Sequence, residues 1–322
     1  MVAALAASGE RVRALDNLST GRWENLDGIP EQSLVERIQG DIRDPETVAK
    51  AAAGVRVIFH QAALGSVPRS VETPILSDSV NVGGTVTVLD AARHAGVGRV
   101  IFAASSSAYG ETEISPKHEG LTPAPLSPYA VTKLACEHYL KVFSTVYNIE
   151  TISLRYFNVF GPLQTPTGAY AAAIPRFLDA ALNERPIQIY GDGEQTRDFC
   201  YVDNAVRANL LAEASPRKLS GDVVNIAGGR AISLNALCRE VTKVLAREVR
   251  VEHVAPRAGD IRHSLADISR ARELLDYGPT WRWEDGLPKT AAYLKTLRTD
   301  GASKASRVIT VCESVVPRRT RA

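Results

Sequence analysis

Ser127-Pro128-Tyr129-Ala130-Val131-Thr132-Lys133-Leu134 is the stretch on which the reading of this chain turns. Pro128 has no amide hydrogen and a φ already near the helical value, so it suits the first turn of a helix. Tyr129 and Lys133 then stand four residues apart on one face. Val131, Ala135, Tyr139, Val142 and Val146 recur at helical spacing and are expected to pack inward. A phenol one turn from an ammonium group has a chemical use. An unperturbed tyrosine titrates near about 10, and a fixed positive charge nearby favours the phenolate. Such a pair makes a general base usable near neutral pH. Taken alone, Tyr-x-x-x-Lys equally describes a half-buried tyrosine beside a solvated lysine.

Some twenty residues upstream, Val100-Ile101-Phe102-Ala103-Ala104-Ser105-Ser106-Ser107-Ala108-Tyr109-Gly110 reads as a buried strand entering a hydroxyl-rich loop. Together the two signals resemble the extended short-chain dehydrogenases/reductases, the NAD-dependent epimerase/dehydratase family, and most of all its UDP-glucose and UDP-N-acetylglucosamine 4-epimerases. The resemblance implies an α/β fold: a Rossmann-type, doubly wound parallel sheet with a smaller α/β substrate-binding domain. It also implies NAD as cofactor, a UDP-sugar as substrate and a homodimer. By that resemblance residues 1–160 form the cofactor domain, with a return to it at 199–229. Residues 161–198 and 230–297 form the nucleotide-sugar domain.

Bulk properties agree. The chain has 322 residues, enough for one large or two modest cores. A net charge of +2 with 23% charged residues implies no polyanionic partner such as nucleic acid. Cys136, Cys200, Cys238 and Cys312 are scattered, without Cys-x-x-Cys spacing or histidine clusters. That pattern fits reduced thiols in a cytoplasmic protein, with no disulfide frame and no metal site. Met1 to Ser8 is apolar but short and lacks a basic leader, so neither a signal peptide nor a membrane span is expected.

Val12 to Leu15 reads as a buried strand ending at Asp16. An acid at the end of the second strand of a dinucleotide-binding unit accepts hydrogen bonds from the adenine ribose, and it disfavours the 2′-phosphate of NADP. Asp at a strand end is also a common turn former. Asp16-Asn17-Leu18-Ser19-Thr20-Gly21 has the form this segment takes in the epimerases the chain resembles. Asp41 and Ile42 would flank the adenine by the same resemblance, while Asp44 reads as the cap of a helix from Pro45. Val55 to His60 is a β-branched strand running into Gln61-Ala62-Ala63, where Ala62 and Ala63 let the backbone approach the cofactor. Asn81 resembles the asparagine that ties the helix Thr85–His94 to the active-site strand. The Gly-x-x-Gly-x-x-Gly turn with which the family opens, and the strand before it, are not found: no glycine precedes Gly9. A start site assigned too far downstream is the expected reason, with a degraded relative as the alternative.

On the substrate side, Asn158 in Tyr156-Phe157-Asn158-Val159-Phe160-Gly161-Pro162 resembles the residue that meets the sugar diphosphate. Arg197 matches the arginine that reaches the UDP phosphates, a task for a planar, permanently charged fork. A surface arginine paired to Asp198 is the plainer reading. Arg257 and Asp260 carry over to diphosphate and ribose contacts. Ser264 falls where the family's epimerases place a residue beside the hexose C2 substituent, and a small side chain there leaves room for an acetamido group. The small-residue run Gly168 to Ala173 is expected on the same side. Residues 301–322 match nothing and are expected to form a basic, disordered tail.

The resemblance implies that Tyr129 takes the proton of the sugar 4-hydroxyl while C4 gives hydride to the nicotinamide. Ser105 or Ser106 would orient the oxygen, Ser107 would touch the substrate, and Lys133 would hold the nicotinamide ribose. Related 4,6-dehydratases carry an Asp-Glu pair after the serine, and UDP-glucuronate decarboxylases a Glu two places on. Ser105-Ser106-Ser107 has no carboxylate, which favours 4-epimerisation. A catalytically dead nucleotide-binding relative is the reading from a different class. The expected dimer joins Thr85–His94 and Pro128–Tyr147 of two subunits.

Overall fold

The computed structural model describes residues 1–166, 172–256, 261–299 and 313–317, the last five and 298–299 by their backbone. In chain order, α1 (Val2–Ala7) leads to β1 (Val12–Asp16), β2 (Val35–Gln39), α2 (Pro45–Ala52) and β3 (Val55–His60). Two short helices, α3 (Val67–Glu72) and α4 (Pro74–Asp78), pass through one π-helical turn into α5 (Gly84–His94). β4 (Arg99–Ser105), α6 (Pro128–Tyr147), β5 (Glu150–Tyr156) and β6 (Val159–Phe160) follow. Then come α7 (Ala173–Leu182), β7 (Ile187–Tyr190), β8 (Thr196–Asp198), β9 (Cys200–Tyr201), α8 (Val202–Ala214) and β10 (Ser220–Ile226). The chain closes with β11 (Ala231–Ser233), α9 (Leu234–Leu245), β12 (Val251–Val254), α10 (Ser269–Leu275), α11 (Trp283–Thr299) and β13 (Glu313–Pro317).

Seven strands form the large sheet in the order β10-β5-β4-β3-β13-β1-β2. All neighbours are parallel except β13, which runs antiparallel to both β1 and β3. Period-two alternation feeds two cores on its two faces. Val57, Phe59 and Ile101 join α1, α8 and α10 on one face. Ile58, Val100 and Phe102 join α2, α5 and α6 on the other. A third apolar cluster unites α7, β7, α9 and α11 beyond the sheet.

Two expectations are corrected. The tail contributes a strand: β13 takes the central position that, in a doubly wound sheet, belongs to the opening strand. Without a strand there, β1 and β3 would present unpaired amides and carbonyls in the middle of the sheet. Glu313-Ser314-Val315-Val316-Pro317, with its two adjacent valines, supplies that pairing.

The second correction concerns α6. Val131 is 52% exposed, Val142 51% and Val146 63%, with Tyr139 also exposed. The buried positions of this helix are instead Ala130, Thr132, Lys133, Cys136, Glu137, Leu140, Phe143 and Ser144. The stripe expected inside faces outward because the neighbouring stripe fills the core, with the Glu137 carboxylate neutralised by Arg155 at 2.8 and 2.7 Å. The two stripes lie only about 100° apart, so periodicity alone cannot choose between them.

Candidate active site

Most of the named side chains gather at the carboxyl ends of the parallel strands, where a doubly wound sheet places its ligands. One cleft lies beyond the ends of β1 and β3. Leu15, Asp16, Asn17, Ser19, Thr20, Gly40, Ile42, Ala62, Ala63, Leu64 and Val80 line it. Asp16 is buried; one carboxylate oxygen accepts the Leu18 amide at 2.7 Å, and the other is buried with no protein partner. Burial pushes this carboxyl above the usual range. Gly84 packs closely on this wall, where a Cβ would lie 2.3 Å from Ile42 Cδ1 and displace that side chain. Asp41 stands beside the cleft, not on its wall: Arg43 and Asn17 bind its carboxylate at 2.7 and 2.9 Å and hold it well below the usual range. Asp44 caps α2 as expected from the sequence.

Asn81 ties different partners from those expected. Its Oδ1 accepts the Leu64 amide at 2.8 Å and its Nδ2 donates to Thr132 Oγ1 at 3.0 Å. It therefore joins the cleft loop to α6, the helix that carries Tyr129 and Lys133, and not directly to the strand β4. Next to it a closed ring runs through buried Gln61: Gln61 donates to Asn209, Asn209 to the Tyr156 hydroxyl, and Tyr156 back to Gln61, at 3.0, 2.6 and 3.1 Å.

Ser127 caps α6 by accepting the Ala130 amide at 3.2 Å, with Pro128 in the first turn. The next residue, Tyr129, is partly exposed, with its phenol beside the side chain of Ser105 at the end of β4. Ser105 also accepts the Ser107 hydroxyl at 2.8 Å, and Ser106 opens the one-turn 3-10 helix that follows. That turn ends at Gly110, φ +61°, where a Cβ would lie 1.8 Å from the Ala124 carbonyl oxygen, so only glycine fits. Lys133 is buried and donates to the Ala103 carbonyl at 2.7 Å, its Nζ 6.0 Å from the centroid of the Tyr129 ring. Burial lowers the ammonium to about 8. Burial likewise raises Tyr129, opposed by the Ser105 hydrogen bond. Ser105 thus opposes the effect of burial on Tyr129, while the Lys133 ammonium is held by the Ala103 carbonyl.

The β4–β5 register sets Ser105 opposite Tyr156, two residues before Asn158. Asn158, φ +37°, donates from Nδ2 to the Asp198 carbonyl at 2.9 Å. Arg197 precedes that residue in β8 and donates to the Thr196 carbonyl at 2.8 Å. Ser264 is buried two residues before Ala266, whose amide bonds the Asp198 carboxylate. Arg257, Asp260 and Gly168 to Ala171 lie outside the described residues. Asp198 is the residue that sequence reasoning passed over: it is no surface partner of Arg197 but fully buried. The apolar run Phe199-Cys200-Tyr201 directly after it was the available signal. Among the described residues no helix is long and apolar enough to cross a membrane.

Comparison with known proteins agrees with this geometry. Residues 1–227 match the NAD dependent epimerase/dehydratase family. The chain is 36% identical over 297 residues to a UDP-glucose 4-epimerase of Mycolicibacterium smegmatis, covering 92% of this chain and 94% of that one. It superposes with a TM-score of 0.87, at 38% identity, on the UDP-N-acetylglucosamine 4-epimerase of Methanobrevibacter ruminantium, solved with UDP-N-acetylmuramic acid. That match covers 92% of this chain and 93% of the other. A UDP-glucuronic acid 4-epimerase mutant of Bacillus cereus, solved with a fluorinated UDP-glucuronic acid and NAD, gives 0.84 at 31% identity, with 91% and 94% covered. The chain belongs to the NAD dependent epimerase/dehydratase family, among its nucleotide-sugar epimerases.

Proposed function

We propose that this protein inverts C4 of a UDP-hexose, with UDP-N-acetylglucosamine and UDP-N-acetylgalactosamine as its preferred pair and UDP-glucose and UDP-galactose as slower substrates. The observation that carries the reading is the contact of Tyr129 with Ser105 at the end of β4, in a serine triplet without a carboxylate. Dehydration or decarboxylation in this family calls for an acid at that place, and hydroxyls stand there instead.

The cleft suits the adenosine end of NAD. Asp16 presents a buried carboxylate oxygen that lacks a protein partner, the acceptor a ribose hydroxyl needs, and its charge repels a 2′-phosphate. Ile42, Ala62 and Ala63 provide apolar and narrow walls. Bound NAD supplies reversible hydride transfer at C4, so the sugar is oxidised and then reduced with no net redox change. The remaining work falls to side chains of this chain. Tyr129 removes the 4-hydroxyl proton and returns it. Ser105 orients that oxygen and, by its hydrogen bond, offsets the burial that disfavours the phenolate. Lys133, fixed on the Ala103 carbonyl, adds a buried donor beside Tyr129. Arg197 and Asn158 bind the diphosphate, Arg257 joins them there, and Asp260 takes the ribose hydroxyls.

The acetamido preference rests on Ser264, small and buried on the substrate side. The Ser264→Tyr variant tests it through kcat/KM for both sugar pairs. The acetamido pair should lose at least a hundredfold and the plain hexoses less than about fivefold, because a filled cavity rejects only the larger substrate. Equal losses on both pairs would contradict the assignment.

We also infer a homodimer, through the outer faces of α3, α4 and α6. Val71 and Ile75 are exposed on α3 and α4, and Val142 and Val146 on α6, the helix that carries Tyr129. Of the two helices expected at this interface, only α6 shows such residues; the apolar patch beside it comes from α3 and α4, not α5.

A further inference from the structure

Asp198 is fully buried, and its carboxylate is held by backbone amides. One oxygen accepts the Gly228 amide at 3.0 Å and the other the Ala266 amide at 3.2 Å. The amides of Gly229 and Arg230 lie near it and also favour the charged form. The loop at 228 lies tight on this residue: a Cβ on Gly228 would come within 2.6 Å of the Phe199 carbonyl oxygen and 3.3 Å of Asp198 Oδ1. A buried carboxylate is unfavourable unless its lone pairs are filled, so burial raises this acid to about 6 while the amides work in the opposite direction. Such a group persists where it fixes several segments at once.

The segments it fixes are those of the proposed substrate side. The Asp198 carbonyl receives Asn158 Nδ2 at 2.9 Å. Arg197 is its neighbour in β8, which is itself held against β11. Ser264 lies between two ties to the same strand: the Thr196 amide donates to the Arg262 carbonyl at 3.0 Å, and the Ala266 amide donates to Asp198. Residues at 158, 197 and 264, far apart in the chain, thus meet at one residue: the first through its carbonyl, the second through its strand and the third through its carboxylate.

We propose that Asp198 is a positioning residue of the UDP-sugar site, setting Asn158, Arg197 and Ser264 in place and acting on nucleotide affinity, not on proton transfer. This rests on the UDP-sugar reading above. Asp198→Asn keeps the shape but turns one acceptor into a donor facing backbone amides. The experiment measures the Kd of UDP by calorimetry, steady-state kinetics with UDP-N-acetylglucosamine, and thermal unfolding. The expected result is a UDP Kd and a KM raised together at least tenfold, with kcat at saturation within about threefold of wild type. A Kd within twofold of wild type, or a fall in kcat with Kd unchanged, overturns the proposal. If Asp198→Asn fails to fold, Asp198→Glu, which retains the charge one methylene further out, must show the same split, and its absence overturns the proposal too. A wild-type protein that binds UDP but converts no UDP-hexose would defeat the functional reading while leaving the UDP-affinity prediction standing.

Discussion

The inner and outer faces of α6 reverse the usual expectation of which side of a helix is the more apolar. The outer stripe carries Val131, Tyr139, Val142 and Val146 and is open to solvent. The inner one buries Lys133 and Glu137 among Cys136, Leu140 and Phe143. Buried charges survive only when paired or hydrogen-bonded. Glu137 meets Arg155, whose guanidinium also lies 4.6 Å from the centroid of the Tyr109 ring, and Lys133 meets the Ala103 carbonyl. The difference teaches that the helix presents two unlike surfaces. Its inside holds the proposed catalytic lysine in place, and its outside is the apolar face of the proposed dimer.

Substitutions on the two faces should therefore separate chemistry from assembly. The largest effect is expected from Tyr129→Phe, at the start of the helix. Turnover should fall by two to four orders of magnitude while calorimetric affinity for the UDP-sugar stays within about threefold, since a general base acts on the transition state and contributes little to ground-state binding. Activity within about threefold of wild type would remove Tyr129 as the base. A smaller effect is expected outside: Val142→Glu should convert a dimer into a monomer by light scattering at micromolar concentration and leave turnover per subunit within about twofold. A wild-type protein that is already monomeric under those conditions would dismiss the dimer.

Much of the fold is legible in the sequence because its elements end on strong local signals. Val55–His60 occupies the span that its pattern predicts, and the strand from Val12 ends at Asp16 as expected. Asp44 and Ser127 cap helices that begin with proline, a signature carried by two adjacent residues. What is not legible depends on contacts between distant segments. The choice between two apolar stripes on α6 follows from Arg155, eighteen residues beyond Glu137. The place of Glu313–Pro317 follows from an opening in the sheet, which its two valines suit but do not announce. Asp198 reads as an ordinary acid next to an arginine until residues 228 and 266 are folded onto it. The proposed catalytic residues lie the other way: Ser105, Tyr129 and Lys133 are close in sequence and close in space, and a short motif reports them.

The most direct test of the account uses UDP-N-acetylglucosamine carrying deuterium at C4, followed by proton and deuterium NMR. Inversion through oxidation and reduction at one carbon within one site returns the same hydrogen to the sugar. The account predicts UDP-N-acetylgalactosamine with the deuterium retained at C4 and none released to water. Loss of the label to solvent, or no galacto-configured product from an enzyme that binds the nucleotide sugar, would contradict it.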